Sequence, residues 1–352
     1  MNFTVELLTE DTEPEYEAFI ASIPTALIYA SLRYRNLLRD FLGGADDRYL
    51  IARNSAAQIV GVLPAFVKSI PGKVGVANSM PFYGSHGGPI IREGNAQVGQ
   101  LLLKYFNDLA VQMGCGSSTI IFSPLTAKHD VKEWGANVKV TDSRIGQMTR
   151  LPENSDEPRS AVMTFLQPKT RNMVRKAEKL GVTVAHSETV AAMQFLSDTH
   201  ASNMLELGGL AKPKLFFELL TKHFRYGSDY RIYTATIEGA PIAGLLLFYF
   251  NRTVDYFTPV IVKEHRSTQA LSMLISHAMA DAVAEGMTWW NWGGTWHSQS
   301  GVYKFKQSWG AIDMPYHYST TIMDKSLLEQ SKEDLIRDYP YFYVAPFAWL
   351  KA

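Results

Sequence analysis

The chain has 352 residues, enough for one large domain or two ordinary ones, each able to bury a core without disulfides or a structural metal. Hydrophobic residues make up 46% and charged residues 19%, which excludes a mainly disordered chain. Equal numbers of basic and acidic side chains, 34 of each, exclude a protein that coats nucleic acid by bulk charge, though a local basic patch stays open. A single cysteine, Cys115, supplies neither a disulfide framework nor a zinc site, and the nine histidines show no metal-ligand spacing. The first ten residues carry no basic segment followed by an apolar one, so no signal peptide is expected. The longest apolar stretch, Pro241 to Phe250, is ten residues, against the ~20 that span a bilayer, and a cytoplasmic location is expected.

In chain order, the first strong signal is an internal repeat. Asp46 to Gly61 aligns without gaps on Asp229 to Gly244, with identities at Asp46/Asp229, Arg48/Arg231, Ala52/Ala235, Ala57/Ala240, Ile59/Ile242 and Gly61/Gly244. Each copy reads as strand, tight turn, strand, with Asn54-Ser55 and Glu238-Gly239 at the turns. Further on, Gln97 to Gly114 aligns with Gln269 to Gly286. Both segments have helical periodicity, end on a glycine and run into an apolar strand, Ser118–Phe122 and Met287–Trp292. Two matches in the same order point to duplication of an α/β plan, each half a mixed sheet flanked by helices. The acidic, proline-bearing segment 151–158 places the boundary, giving domains 1–150 and 151–352.

The second half opens with a basic helix. Five of the eleven residues from 169 to 179 are basic and one is acidic. On a helix Arg171, Arg175 and Lys179 form one stripe and Asn172 and Lys176 the next, with Met173, Ala177 and Leu180 toward the core. Guanidinium forks suit phosphates, because two parallel hydrogen bonds fix orientation as well as energy. Six of the seven tryptophans lie between 289 and 349. Trp290 and Trp292 alternate along a strand, Gly293-Gly294 is expected to release the chain from the sheet, and Val302 to Trp309 reads as a short helix. Lys304 and Lys306 flank Phe305, so at most one of them enters a cleft beside that helix. The aromatic tail 338–349 reads as a strap on the second domain, or, more sharply, as a segment that touches a membrane surface.

The run Arg171-Asn-x-x-Arg175-Lys176-Ala-x-x-x-Gly181-Val182, followed about 120 residues later by Gly301-x-Tyr303-x-Phe305-Lys306-x-x-Trp309-Gly310-Ala311, resembles the FemAB family. The resemblance implies two tandem GNAT-like (acetyltransferase-fold) domains. It implies transfer of an aminoacyl group from aminoacyl-tRNA to an amine of a nucleotide- or lipid-linked cell-envelope precursor, with no bound cofactor. It also implies that Lys306 stabilises the developing oxyanion. The helical-hairpin arm of some members has no counterpart here, and Pro81–Pro89, with Tyr83 and His86, is only loosely like the family's precursor-binding loop.

The chemistry fits these residue types. Aminolysis of an ester or thioester needs a neutral amine held against the carbonyl and a positive group where the oxyanion forms, and no covalent enzyme intermediate. Arg171, Arg175 and Lys176 are candidates for phosphates, Asn172 for orienting one of them, and Tyr256, Tyr303 and Trp309 for lining the site. His86 and His297 are loop histidines with the residue type of an acid–base group, and Cys115 reads as a spacer thiol at a helix-to-strand turn. The turn before the second matched helix, His265 to Ala270, has no glycine, so backbone amides approach a pyrophosphate less closely than a glycine-rich turn allows. This leaves an acyl-CoA donor as the alternative, and a non-catalytic precursor-binding module as a third reading.

Overall fold

A computed structural model describes residues 2–82, 84–92, 95–126, 140–153, 155–295 and 299–350. The chain divides into two compact units, residues 1–145 with 314–352 and residues 146–313.

The first unit holds β1 (Thr4–Leu7), α1 (Glu13–Ala21), α2 (Leu32–Phe41), β2 (Ala45–Asp47), β3 (Leu50–Arg53), β4 (Ile59–Leu63), β5 (Phe66–Ile70), β6 (Lys73–Asn78), β7 (Ile90–Ile91), α3 (Ala96–Gln112), β8 (Cys115–Ile121) and the first residues of β9 (Val140–Arg150). One sheet has the order β1-β3-β4-β7, and β2-β5-β6-β8 form part of another. The amphipathic α3 buries Val98, Leu102, Phe106 and Ala110 in the same core as Leu50, Ala52 and Leu63.

The second unit continues from β9 into α4 (Pro158–Phe165), α5 (Pro168–Lys179), β10 (Thr183–His186), α6 (Val190–Glu206), α7 (Lys214–His223), β11 (Tyr230–Ile237), β12 (Ala240–Phe250), β13 (Thr253–Ile261), α8 (Ala270–Ala284), β14 (Trp289–Thr295), α9 (Ser300–Gln307) and β15 (Ile312–Asp313). Its sheet runs β10-β11-β12-β13-β14-β9. The apolar run noted in the sequence becomes the central strand β12, buried from Ile242 to Tyr249, as its unbroken hydrophobicity requires of a strand covered on both faces. Against it lies α8, which buries ten residues, Leu274, Ile275, Ala278 and Met279 among them, and so is apolar on more than one face.

The duplication is visible in the backbone. β3–β4 and β11–β12 are antiparallel hairpins, and each carries a register shift at the equivalent position, Ala52/Arg53 and Ala235/Thr236. The long helices α3 and α8 both end before a left-handed glycine, Gly114 at φ 69° and Gly286 at φ 73°. Each leads to a strand that pairs in parallel, β8 with β6 and β14 with β13. The two turns differ. Glu238 and Gly239 take φ 50° and 81°, the left-handed pair of a two-residue hairpin. The first hairpin needs the longer loop Asn54–Gln58, where the Asn54 carboxamide accepts from the backbone N–H of Ala56 and of Gln58.

The C-terminal segment departs from expectation. After β15 the chain re-enters the first unit as β16 (Tyr316–Ile322), inserted between β8 and β9, and α10 (Lys332–Asp338). Leu335, Tyr339 and Val344 pack on Val76, Asn78 and Tyr343 exchange two hydrogen bonds of 2.7 and 2.8 Å, and the Tyr339 hydroxyl donates to the Val74 carbonyl at 2.6 Å. The strap therefore packs on the first unit and not on the second. A strand seven residues long is completed by whichever edge accepts its backbone, and local pattern carries no address for that edge. Phe347 and Trp349 remain about half exposed at its end. Among the described residues no helix is long and apolar enough to cross a membrane.

Candidate functional site

In the second unit Lys306 and Tyr303 lie on α9 and Trp309 just after it, while Tyr256 reaches the same cluster through Trp292. Gly293-Gly294 do not release the chain: Gly293 adopts φ 71°, and β14 runs on to Thr295. The helix occupies Ser300–Gln307, two residues earlier at each end than the pattern suggested. Lys306 faces inward and is 5% exposed. Its ammonium donates to Thr295 Oγ1 at 2.7 Å and more weakly to the carbonyls of Gly294 and Gly293, at 3.3 and 3.4 Å. It has no carboxylate partner among the described residues, and burial pushes its pKa down to about 8. Lys304, two residues earlier on the helix, is exposed, as the opposed directions of the two side chains required.

An aromatic wall stands beside Lys306. Trp292 meets Tyr256 at 4.9 Å between ring centroids, Trp309 at 6.0 Å and Phe305 at 6.1 Å, and its indole N–H donates to Thr149 Oγ1 at 2.9 Å. Trp309 is fully buried, so it is part of this wall's core and not a free surface. Tyr256 sits where β13 changes course. The parallel register with β14 covers Thr253–Asp255 against Trp289–Asn291, and Phe257 is the extra residue of a bulge in the pairing of β13 with β12. A bulge bends its strand, which re-aims the side chains on either side of it. Burial raises the Tyr256 hydroxyl pKa. Tyr303 is half-buried, its hydroxyl donating to Asp313 at 2.8 Å and accepting from Gln307 at 2.8 Å.

The basic helix α5 is only partly as expected. Val174, Ala177 and Thr170 face the core, Met173 is half-buried and Leu180 is exposed. Its N-terminal turn is tied to the end of α9 by Thr170 Oγ1, which donates to the Ser308 carbonyl at 2.7 Å. Asn172, Arg175 and Lys176 are exposed on its outer face. Arg171 leaves the stripe: its guanidinium turns back to the end of α4 and donates to the carbonyls of Leu166, Thr164 and Met163, at 2.6, 3.3 and 3.4 Å. A cation is stabilising there because the last carbonyls of a helix lack partners and carry its negative dipole end. Arg171→Ala is therefore expected to cost about 1–2 kcal/mol of stability, whereas Arg175→Ala should be close to neutral, as measured by calorimetric unfolding. Equal effects would show that the cap is not what holds Arg171.

Tyr83 is outside the described residues, as is His297 in the second unit. His86 is buried, its Nδ1 3.1 Å from the Phe122 carbonyl and its ring edge-on to Tyr316 at 4.7 Å, and burial lowers its pKa to about 4. It is neutral at pH 7. Burial pushes the Cys115 thiol up to about 11, so this cysteine is an inert packing group.

Two buried residues outside the predicted set complete the Lys306 environment. Gln147 and Thr295 are both fully buried, and Thr295 Oγ1 lies 3.0 Å from Gln147 Oε1. Nearby, the Asn291 carboxamide donates to the buried Asp255 carboxylate at 2.7 Å. The only signal for Thr295 was its place just beyond the paired glycines; Gln147 sits on a strand whose partner could not be read locally. Among the described residues no group of three His, Cys, Asp or Glu side chains is placed to hold a metal ion.

The turn before α8 also takes its form here. Gln269 adopts φ 63°, the left-handed conformation a glycine would take more cheaply, and α8 starts at Ala270. The two cations of that turn, Lys263 and Arg266, both pair with Glu206 at the end of α6, at 3.2 and 2.6 Å.

Residues 167–307 match the family model described as an acetyltransferase (GNAT) domain. Among solved structures, the FemX structure is similar over 92% of this chain and 98% of its own, with a TM-score of 0.72 and 14% identity. The C-terminal domain of a lysylphosphatidylglycerol synthetase from Agrobacterium fabrum is similar over 96% and 99%, with a TM-score of 0.56 and 11% identity. A tandem GNAT protein of the clavulanic acid pathway matches over 91% and 98%, with a TM-score of 0.52 and 10% identity. No curated protein matches the sequence. Fold and domain match define the class as far as the architecture: a GNAT fold, with the acetyltransferase (GNAT) domain match lying in the second half of the chain. Within that class the chain shares its overall fold with the FemX structure and with the tandem GNAT protein.

Proposed function

We propose that this GNAT-fold transferase moves an aminoacyl group from aminoacyl-tRNA to an amine of a nucleotide- or lipid-linked cell-envelope precursor. The observation that carries the reading is Lys306, a buried ammonium with no carboxylate partner among the described residues, standing beside the end of a strand and an aromatic wall. A lone buried cation is expensive in a core, and its presence is explained by a reaction that develops negative charge beside it. In the reaction the acceptor amine attacks the ester carbonyl carbon and the carbon–oxygen π electrons become an oxyanion. The carbon–nitrogen bond forms, the ester carbon–oxygen bond breaks, and the ribose oxygen leaves with the proton lost by the amine. Lys306 donates to the oxyanion through that sequence. Arg175 and Lys176, exposed on α5, are available to phosphates of the donor or acceptor.

The FemX and lysylphosphatidylglycerol synthetase names on structures of the same fold support an aminoacyl donor. So does the turn before α8, whose two cations share the one Glu206 carboxylate and whose left-handed position holds glutamine. The clavulanic-pathway relative, whose structure was described without acetyl-CoA, keeps an acyl-CoA donor as the second reading. The test offers labelled aminoacyl-tRNA and labelled acyl-CoA in parallel to purified protein with a cell-envelope precursor extract. Label moving from tRNA, and lost in Lys306→Ala, is the expected result, with the acceptor identified by mass. Label moving only from acyl-CoA would replace the donor. Binding of precursor with no transfer from either donor, unchanged in Lys306→Ala, would leave a binding module.

A further inference from the structure

We propose that Thr295 and Gln147 are positioning residues that hold the Lys306 ammonium in its reactive place, an inference that rests on the role given to Lys306 above. The argument is one of hydrogen-bond direction. An ammonium can only donate, so Thr295 Oγ1, 2.7 Å from Lys306 Nζ, is the acceptor of that bond. The single hydroxyl proton of Thr295 must then go elsewhere, and Gln147 Oε1 stands 3.0 Å away to receive it. The Gln147 amide nitrogen in turn lies 3.4 Å from the Tyr303 carbonyl, the contact that assigns its oxygen to the Thr295 side. Tyr303 and Lys306 share α9, so the chain closes on itself: helix, ammonium, hydroxyl, carboxamide, helix.

Each member is carried by a different element, Gln147 by β9, Thr295 by β14 and Lys306 by α9. Gln147 and Thr295 have no exposed surface, so water does not replace either bond. The chain also has a preferred charge. A neutral amine could accept from Thr295 as well as donate to it, and accepting would release the Gln147 oxygen; an ammonium can only donate, which fixes the direction of the whole chain. The titratable and charged groups around it are Tyr303 and Lys304 on α9, Asp313 on β15, engaged by Tyr303, and Asp255 and Tyr256 on β13, with Asp255 bonded to Asn291. None of them forms an ion pair with Lys306 among the described residues.

The direct test is the titration of the Lys306 side chain in protein labelled with [13C]lysine, read at Cε by NMR, with Lys306→Arg to assign the resonance. In Thr295→Val the midpoint should fall by about 1 pH unit, the size expected from losing one hydrogen bond to a charged group. In Thr295→Ser it should return toward the wild-type value. In Gln147→Glu it should rise, because a carboxylate replaces the neutral end of the chain. Turnover should follow: kcat at pH 7 about tenfold lower in Thr295→Val with KM little changed, and recovered in Thr295→Ser. A Lys306 titration unmoved in both Thr295→Val and Gln147→Glu overturns the inference. A titration that moves while kcat stays constant keeps Thr295 and Gln147 as the groups that hold the ammonium and overturns the part given to Lys306 in the reaction.

Discussion

Replacing Lys306 with methionine is expected to remove transfer activity and to make the fold more stable. The loss follows from the missing oxyanion donor, which in other acyl transfers contributes about 10²–10³ in rate. The gain follows from linkage. The folded-state pKa of Lys306 is about 8, below the ~10.4 of an unfolded lysine, and burial is the cause. Between those two values the unfolded chain binds more protons than the folded one, so wild-type stability rises as pH rises through about 8 to 10. Below that window the folded state bears the full penalty of a buried ammonium, up to about 3 kcal/mol, which methionine of similar length does not incur. Loss of the bond to Thr295 offsets part of it. Calorimetric unfolding at pH 7 should therefore show the variant melting higher than the wild type, with the difference shrinking by pH 10. A variant that melts lower at pH 7 would mean that the ammonium is held for structure and not for chemistry. The same lysine sets a limb of the activity profile: kcat should decline above about pH 8 as the ammonium is lost, after the rise that accompanies deprotonation of the acceptor amine.

The second large effect falls on the duplicated glycines. Gly61 and Gly244 are equivalent in the repeat, both buried in the second strand of their hairpins. A Cβ at Gly61 would lie 2.5 Å from Val98 Cγ1, 3.0 Å from Ile91 Cγ2 and 3.2 Å from Leu102 Cδ1, because α3 packs directly on the strand. At Gly244 the nearest atoms are Val260 Cγ2 at 3.1 Å and Leu196 Cδ1 at 3.3 Å, distances that a small side-chain adjustment relieves. Gly61→Ala is thus expected to cost about 2–3 kcal/mol and Gly244→Ala about 1 kcal/mol or less, since overpacking a core forces backbone or rotamer shifts. Calorimetry on the two variants decides it. Equal losses would show that α3 yields as easily as the neighbours of Gly244.

These two residues also show where sequence reasoning reaches. The repeat was legible because a hairpin and a long helix each carry a local period, and Ala52 and Ala235 even mark the same bulge. The difference between the two glycines was not legible, since it depends on which helix lies over each strand. The basic stripe on α5 was legible as a set of charges, but the withdrawal of Arg171 to the carbonyls of α4 was not, because those acceptors are exposed only by where α4 ends. Lys306 could be picked out beside Phe305, while Thr295 and Gln147, more than a hundred residues apart from each other, could not.

The sequence by itself determined the α/β character, the duplicated order of hairpin, helix and parallel strand, and the residue types of a lysine-based transfer site. It did so because periodicity, turn residues and apolar runs act over a few residues and are written locally. Tertiary structure alone decided that the aromatic tail completes the first unit, that Glu206 pairs with both cations before α8, and that a buried hydroxyl and carboxamide hold Lys306. Those outcomes depend on which strand edge, carboxylate or acceptor arrives from a distant part of the chain, and the burial that makes each one count exists only once the chain has folded.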